Sequence, residues 1–420
     1  MTTDEKLDFQ TARGMKPVDA AFFYMGAPER VTDRVAFSPG LANVCTFIGD
    51  GALFLVDTAT GRFTPAVLEG IRTQYSQAPV EEVVYTHGHV DHVTGAETII
   101  REAQSRGDRR PRIIGHDLVA PRFDRYQLTA AHNDHINQIQ FNLPPEVRPF
   151  TDAEWTYPDV TYSKDMDTRV GGLTFQLHHA RGETDDETWV WCPEERTLCT
   201  GDTFVWCSPN AGNPYKVQRY AKDWADALEQ MAALKPAHLL PGHGPAINDE
   251  GTIEEALLST AHLLRSIHDQ VVGGMNKGKV LEDIMRDIEW PATDKPWLRP
   301  IYDHPEFIAR NVFRLYGGWW DGNAATMLPA HSSEVMGALV DTVGAEPILN
   351  RAKSARDDGN LKLACHLVDF VRRGNPENRE AWELWRDLFT ARAAEEESLM
   401  ARGAFKAAVR EAEARLQDLK

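Results

Sequence analysis

Cysteine is scarce. The 420 residues hold five, Cys45, Cys192, Cys199, Cys207 and Cys365. They are odd in number, widely scattered and without paired-ligand spacing, which excludes a disulfide-stapled scaffold or a zinc ribbon. Reduced thiols are the expectation. Long apolar runs are missing as well: none approaches the ~18–20 residues of a membrane span. The opening MTTDEKLDF is acidic and polar, unlike a secretory leader. A cytoplasmic protein without a membrane span is therefore expected. Positive charge is in deficit, with 45 basic against 63 acidic residues and a formal charge of −18. That balance argues against nucleic acid as a partner, because a phosphate backbone is bound by a basic surface. A small-molecule substrate fits better. An anionic one would need a local positive field from a metal or a few Arg and Lys.

What is present is ordinary globular material, 42% apolar and 26% charged, enough for two or three domains. Residues 1–35 are polar with scattered aromatics and read as an arm. Over residues 36–250 strand and helix patterns mix. NVCTFIGDGALFLVDTAT reads as a β-hairpin with an Asp-Gly turn. Val67, Ile71 and Tyr75 mark a helix, and VEEVV is a strand that runs into a histidine-rich loop. Residues 96–107 read as a helix, and PRIIGH, GGLTFQLHHA, ETWVWC and TLCTGDTFVW as strands. Trp224, Leu228, Met231 and Leu234 share one face of an amphipathic helix, and AHLLP is a last strand. Beyond residue 250 the chain reads as all helical. Residues 251–332 form one region and 333–420 another, the latter with a single tetratricopeptide-like hairpin around Gly359, Leu361, Ala364 and Pro376, too few units for a solenoid.

The strongest chemical signal is Thr86-His87-Gly88-His89-Val90-Asp91-His92. Three imidazoles and a carboxylate within six positions can face one point only from a loop. Imidazole with carboxylate suits zinc, and also iron or manganese.

This segment resembles the HxHxDH signature of the metallo-β-lactamase superfamily. The resemblance implies an α/β fold, an αββα sandwich of two sheets between helices, followed here by the all-helical region. It implies two divalent metal ions, with His87 and His89 serving the first and Asp91 and His92 the second. Asp57 resembles the family's structural Asp behind that loop. Asp202, in Gly201-Asp202, stands where the family's bridging carboxylate stands, and His243, in Gly242-His243-Gly244, where a ligand of the second metal stands. Glu183 occupies a position that is usually His. That exchange resembles the zinc-dependent alkyl sulfatases of the superfamily. Tyr302 to Trp319, followed by Trp320-Asp321-Gly322-Asn323, resembles the YLGWYDGNP-type segment of their dimerisation domain, which implies a homodimer burying residues 304–328.

Departures accompany the resemblance. Asp202 replaces a Glu of an AEN-type segment, His243 lies in LPGHGP and not in a HHWP-like context, and Phe307 stands near an expected His. The activity implied is hydrolysis of a sulfate ester by metal-activated water, with Asp91 and Asp202 as the catalytic carboxylates. Asn210, Asn213, Lys216 and Arg219 are the corresponding substrate-binding candidates. An Arg fork matches a tetrahedral oxyanion. Tyr126, with His132 and His135, is a candidate for the mouth. At most one of His178 and His179 can face the site, and His262 and His268 lie apart from it. Two alternatives stay open: a carboxylic ester, thioester or lactone hydrolase, suggested by LPGHGP, and an iron-dependent oxidoreductase on the same fold, suggested by Glu183.

Overall fold

The computed structural model describes residues 24–419. Most of the expected arm lies outside them. Its last part is an edge strand, because Glu29–Thr32 pairs with the next strand. Seven strands form the first sheet in chain order: β1 (Glu29–Thr32), β2 (Val35–Ser38), β3 (Val44–Ile48), β4 (Leu53–Val56), β5 (Val80–Val84), β6 (Arg112–His116) and β7 (Val160–Tyr162). β1 to β4 are antiparallel neighbours, and β4 to β7 are parallel. The second sheet has five strands, β8 (Asp165–Val170), β9 (Leu173–Ala180), β10 (Glu187–Cys192), β11 (Thr197–Gly201) and β12 (His238–Pro241), running β12-β11-β10-β9-β8 across the sheet.

The period-two pattern of each strand decides which face it buries. In β4, Phe54 and Val56 point into the space between the sheets, where they join Phe175, Leu177 and Val190. Leu53 and Leu55 point the other way, into a cluster with Leu68, Ile71 and Ile99. The last three belong to helices Thr64–Gln74 and Ala96–Arg106, which cover the first sheet. Helix Ala221–Ala233 packs on β9 and on helix Glu250–Asn276, which also touches β12. This is the expected αββα sandwich. Phe54 stacks on Phe175 at 3.7 Å between ring centroids, and Phe47 meets Phe175 edge-on at 5.0 Å. The Asp-Gly hairpin forms as read, with Gly51 at φ +76°.

Some local readings need correction. Leu234 is the C-cap of its helix and 36% exposed, because the helix ends before that position completes the buried face. Residues 116–150, left unassigned by pattern, hold helices Val119–Leu128 and Ala130–Gln140. Neither β7 nor β8 was read: β7 is three residues long, and β8 is interrupted by charge. The tail, expected to be helical, holds five helices between Ser332 and Asp418, and Ala345–Asp357 packs on Leu361–Gly374 across Gly359.

The described residues divide into two compact units. One comprises residues 24–134 and 148–318, the other 135–147 and 319–419. The helices from Glu250 to Tyr316 thus group with the sandwich. The second unit has its own core around Val368, Trp382, Trp385 and Leu388. Among the described residues no helix is long and apolar enough to cross a membrane.

What the fold does for chemistry is bring strand ends together. β4 and β5 are parallel, β11 and β12 are parallel, and β9 runs the same way as β11 through its two antiparallel pairings with β10. The chain leaves these five strands at Asp57, Tyr85, Arg181, Asp202 and Gly242. Replacing Phe175 with Ala should remove the ring that joins the sheets and destabilise the protein by about 3–5 kcal/mol. Urea unfolding measures this; a loss below about 1 kcal/mol would mean that the stack is not what holds the sheets together.

Candidate metal centre

The histidine loop starts from a fully buried strand end and is pinned from behind by Asp57. Asp57 Oδ1 accepts the Thr86 backbone N–H at 2.7 Å, and Oδ2 accepts the Thr86 hydroxyl at 2.8 Å. Nδ1–H of His92 donates to the same Oδ2 at 2.7 Å. One carboxylate therefore holds the first and last residues of the loop. It does so from φ +63°, a region that few residues other than glycine occupy. His87 Nδ1 lies 3.1 Å from the Thr86 hydroxyl, whose proton is already directed to Asp57. Nδ1–H of His243 donates to the Leu41 carbonyl.

These bonds fix tautomers. With Nδ1 of His87, His92 and His243 committed outward, each Nε2 presents a lone pair inward. His92 Nε2 and His243 Nε2 face each other at 3.4 Å. Asp202 Oδ1 is 3.4 Å from the first, Asp202 Oδ2 is 3.4 Å from the second, and Asp91 Oδ2 is 3.5 Å from His243 Nε2. His87 Nε2 faces His89 Nδ1 at 2.7 Å and Asp202 Oδ2 at 3.8 Å. Lone pair against lone pair is repulsive without positive charge between them. Asp202 Oδ1 is buried and has no hydrogen-bond donor. The donor atoms fall into groups within 4.8 Å of one another: Asp91 with His92 and His243, His89 with Glu183 and Asp202, and His87 with His92 and Asp202. This set of nitrogen and carboxylate donors fits divalent cations.

The electrostatics agree. Burial disfavours the His92 cation, yet Asp202, Asp57 and Asp91 outweigh burial and push its pKa well above the usual value. His243 shifts up in the same way, against burial, through Asp202 and Asp91. Burial opposes the Asp202 anion, but His243, His92 and His87 hold its pKa well below the usual range. His87 and His89 are pushed well down, first by burial and then by neighbouring cationic groups. The centre is thus a strongly negative field lined by nitrogens.

Two glycines allow this convergence. Gly201, at φ +50°, lies against the Thr86 side chain, and a Cβ on Gly242 would collide with Asp202 Oδ1 and the Gly201 backbone. Asn43 supports the His243 loop, its amide donating to the carbonyls of Pro241 and Gly244 at 2.9 Å each.

All seven expected ligand positions meet here. The substrate candidates behave differently. Arg219 Nη1 pairs with Glu183 Oε1 at 2.5 Å, and Asn210 Nδ2 donates to the same oxygen at 2.5 Å. Both side chains are buried, with Arg219 Nε and Asn210 Oδ1 unpartnered. Burial, with Asp202 adding, pushes Glu183 up to about 7 against the pull of Arg219. Lys216 is half-buried over the Phe150 ring at 5.5 Å, and burial lowers it to about 8. Asn213 is buried, and its Oδ1 accepts the Tyr215 backbone N–H at 2.9 Å, a turn within its own loop. Tyr126 lies 6.3 Å from His89, ring to ring. His132 and His135 are exposed. His178 pairs with Asp165 at 2.7 Å, while His179 stacks on His116 at 3.7 Å. His262 is exposed, and His268 meets Tyr316 Oη at 2.9 Å.

Several residues at the site were not anticipated. Asp303 is fully buried and accepts the backbone N–H groups of Gly212 at 2.7 Å and of His304 at 2.8 Å. Asn311 donates to the carbonyls of Ala211 and Arg219. Together they anchor the loop that carries Asn210 and Arg219. Glu187 is buried, with Oε2 3.9 Å from His87 Nδ1. Asp186 and Arg122 form a buried pair at 2.7 Å beside Gly88. A single acid or base among many carries no periodic signal, so these were not legible in advance.

The family model of the metallo-beta-lactamase superfamily matches residues 39–243, and that of alkyl sulfatase dimerisation matches residues 280–415. The linear primary-alkylsulfatase of Pseudomonas sp. is 25% identical over 332 residues, covering 74% of this chain and 62% of its own length. The alkyl/aryl-sulfatase of Saccharomyces cerevisiae is 24% identical over 385 residues, covering 85% and 59%. The solved structure of the stereoselective inverting sec-alkylsulfatase Pisa1 from Pseudomonas sp. matches with a TM-score of 0.81 at 23% identity, over 92% of this chain and 65% of that one. The last likeness is one of fold. The chain spans less than two thirds of each of these relatives.

Two outcomes test the geometry. Gly242→Ala should displace Asp202 and lower stability by about 1–3 kcal/mol in chemical denaturation; an unchanged midpoint would contradict the close approach. Burial raises Asp303 to about 7 from its ordinary 3.8. Between those values the folded chain retains a proton that the unfolded chain has lost. Stability from this group should therefore fall as pH rises from about 4 to 7, by up to about 1.4 kcal/mol per pH unit. Denaturation of the wild type and Asp303→Asn across that range should show the wild type losing ground to the variant. A constant difference between the two would show that Asp303 does not titrate there.

Proposed function

Because this chain belongs to the metallo-beta-lactamase superfamily, with an alkyl sulfatase dimerisation region behind the sandwich, we propose that it is a zinc-dependent hydrolase of sulfate esters of small organic alcohols. The observation that carries the reading is the pair of ligand groups that share Asp202, set beside a buried arginine in a chain of formal charge −18. The activities named for its relatives point to the same bond.

Divalent ions, when bound, would supply Lewis acidity that makes water nucleophilic near neutral pH. His87, His89, Glu183 and Asp202 would hold one, and Asp91, His92, His243 and Asp202 the other. Asp202, whose two oxygens face His92, His243 and His87, would serve both sets, and Asp91 would orient the attacking water. No serine or cysteine nucleophile is needed. Arg219, through its unpartnered Nε, and Asn210, through its amide, would position the sulfate oxygens, with Lys216 adding positive field. Tyr126 would line the approach beside His89, and Asn213 would act through the shape of its loop. Asp303 and Asn311 hold that loop in place.

The region from 36 to 250 would be the catalytic domain, 251–332 the dimerisation region and 333–420 a helical appendage. A homodimer is the proposed assembly and the cytoplasm the proposed compartment. Trp319 and Leu328, 79% and 93% exposed in the single chain, are the apolar groups such an interface would cover.

His89→Ala and Asp202→Ala should each lose most of the metal, by elemental analysis, and at least about 100-fold in turnover of an alkyl sulfate. Turnover of a lactone or thioester panel in place of alkyl sulfates would shift the assignment to carboxylic esters. Full activity in either variant would remove the metal centre as its source.

A further inference from the structure

We infer that Arg122 and Asp186 form a buried brace that sets the spacing of His87 and His89 and thereby the affinity of the metal ion those imidazoles would hold. The inference rests on the metal-centre reading above.

Gly88 lies between the two histidines, so the orientation of its peptide aims both side chains. Its backbone N–H donates to Asp186 Oδ2 at 2.9 Å. The other oxygen of Asp186 accepts from Arg122 Nε at 2.7 Å. Arg122 pairs through Nη2 with Asp185, and its Nη1 reaches the Tyr126 hydroxyl at 3.3 Å. Arg122 is 2% exposed and Asp186 0%. The contact is also steric, because a Cβ on Gly88 would lie 2.7 Å from Arg122 Cδ and 3.1 Å from Asp186 Oδ2. The loop is therefore held at three points, by Asp57 at Thr86 and at His92 and by Asp186 at Gly88.

The brace touches no imidazole. A desolvated ion pair is also a poor source of net stability, and an apolar pair of similar size packs as well. What the charged pair adds is direction. An ionised acceptor fixed by a guanidinium holds one N–H vector firmly, and the 2.7 Å approach of His87 Nε2 to His89 Nδ1 depends on that vector. Asp186 follows Glu183 by three residues, so the loop that offers this carboxylate also secures its two neighbours. Arg122 and Asp186 are positioning residues and contact no reacting atom.

The test uses the full chain and zinc alone, titrated against a chromophoric chelator, with the visible spectrum of the cobalt-substituted protein as a second readout. In Asp186→Ala one of two ions should bind about 10–100-fold more weakly, while the other changes by less than about threefold. The cobalt spectrum should lose the contribution of one site. Asp186→Asn, which keeps an acceptor for the Gly88 N–H, should recover most of the loss. If Asp186→Ala does not fold, the double variant Arg122→Met with Asp186→Leu removes both charges, and the same one-site loss is expected from it. Equal weakening of both ions, or unchanged binding of both, in a folded variant would overturn the brace. Fewer than two ions bound by the wild type would overturn the metal-centre reading and the brace with it.

Discussion

The centre depends first on one buried carboxylate, Asp57, that is not itself aimed inward. It accepts from the backbone and hydroxyl of Thr86 and from His92, and so ties the end of β4 to both ends of the loop after β5. A desolvated carboxylate is expensive unless its oxygens are satisfied. Here three donors satisfy it, and each donor is fixed in direction as a result. The left-handed backbone at Asp57 and at Ala59, φ +63° and +59°, is strain concentrated where the chain must turn sharply to offer that carboxylate. Orienting His92 and Thr86 from behind leaves the inner nitrogens bare, and the inner field follows from that.

That negative field would have to be reversed by bound cations for an acidic protein to take the anionic substrate proposed. At long range a charge of −18 repels anions. Within the site, two divalent ions would offset the charge of Asp91, Glu183 and Asp202, and Arg219 and Lys216 lie beside them. Positive potential would then be confined to a few ångströms, where low dielectric makes it strong. The upward shifts of His92 and His243 and the downward shift of Asp202 have one origin: nitrogens and carboxylates face each other across a gap that calls for positive charge.

The sandwich and the seven inward-facing positions were legible because each carries a pattern. β4 alternates Leu and Phe between two faces, and the histidine loop packs three imidazoles into six positions. Resemblance to the superfamily's later motifs, met in the same order, then pointed to Glu183, Asp202 and His243. Supporting groups had no such pattern. Asp186 and Arg122 are 64 positions apart, as are many unrelated acids and bases, and only folding brings them to Gly88. In residues 116–150, AAHNDHINQIQF has few apolar residues at helical spacing, whereas Val119, Phe123 and Tyr126 of the helix before it repeat at i, i+4 and i+7 and are a signal that was missed. Asn213 was singled out for its place in a loop, and its carbonyl oxygen serves a turn. Leu234 matched the period of its helix one step beyond the helix end.

Arg219 shows where residue type alone misleads. An arginine near a metal loop reads as an anion receptor, yet Nη1 is spent on Glu183 and on the Asn210 carbonyl. Nε is buried without a partner. Nη1 is therefore committed to Glu183 and to the loop, and any substrate contact would fall to the rest of the guanidinium. Glu183 and Arg219 are thus one coupled unit, and Asn210, donating to the same Glu183 oxygen, belongs to it. Asp303 and Asn311 keep that unit at the rim by fixing the loop from the helical side of the same compact unit. The helical segment that follows the sandwich thus shapes the site before any question of assembly arises.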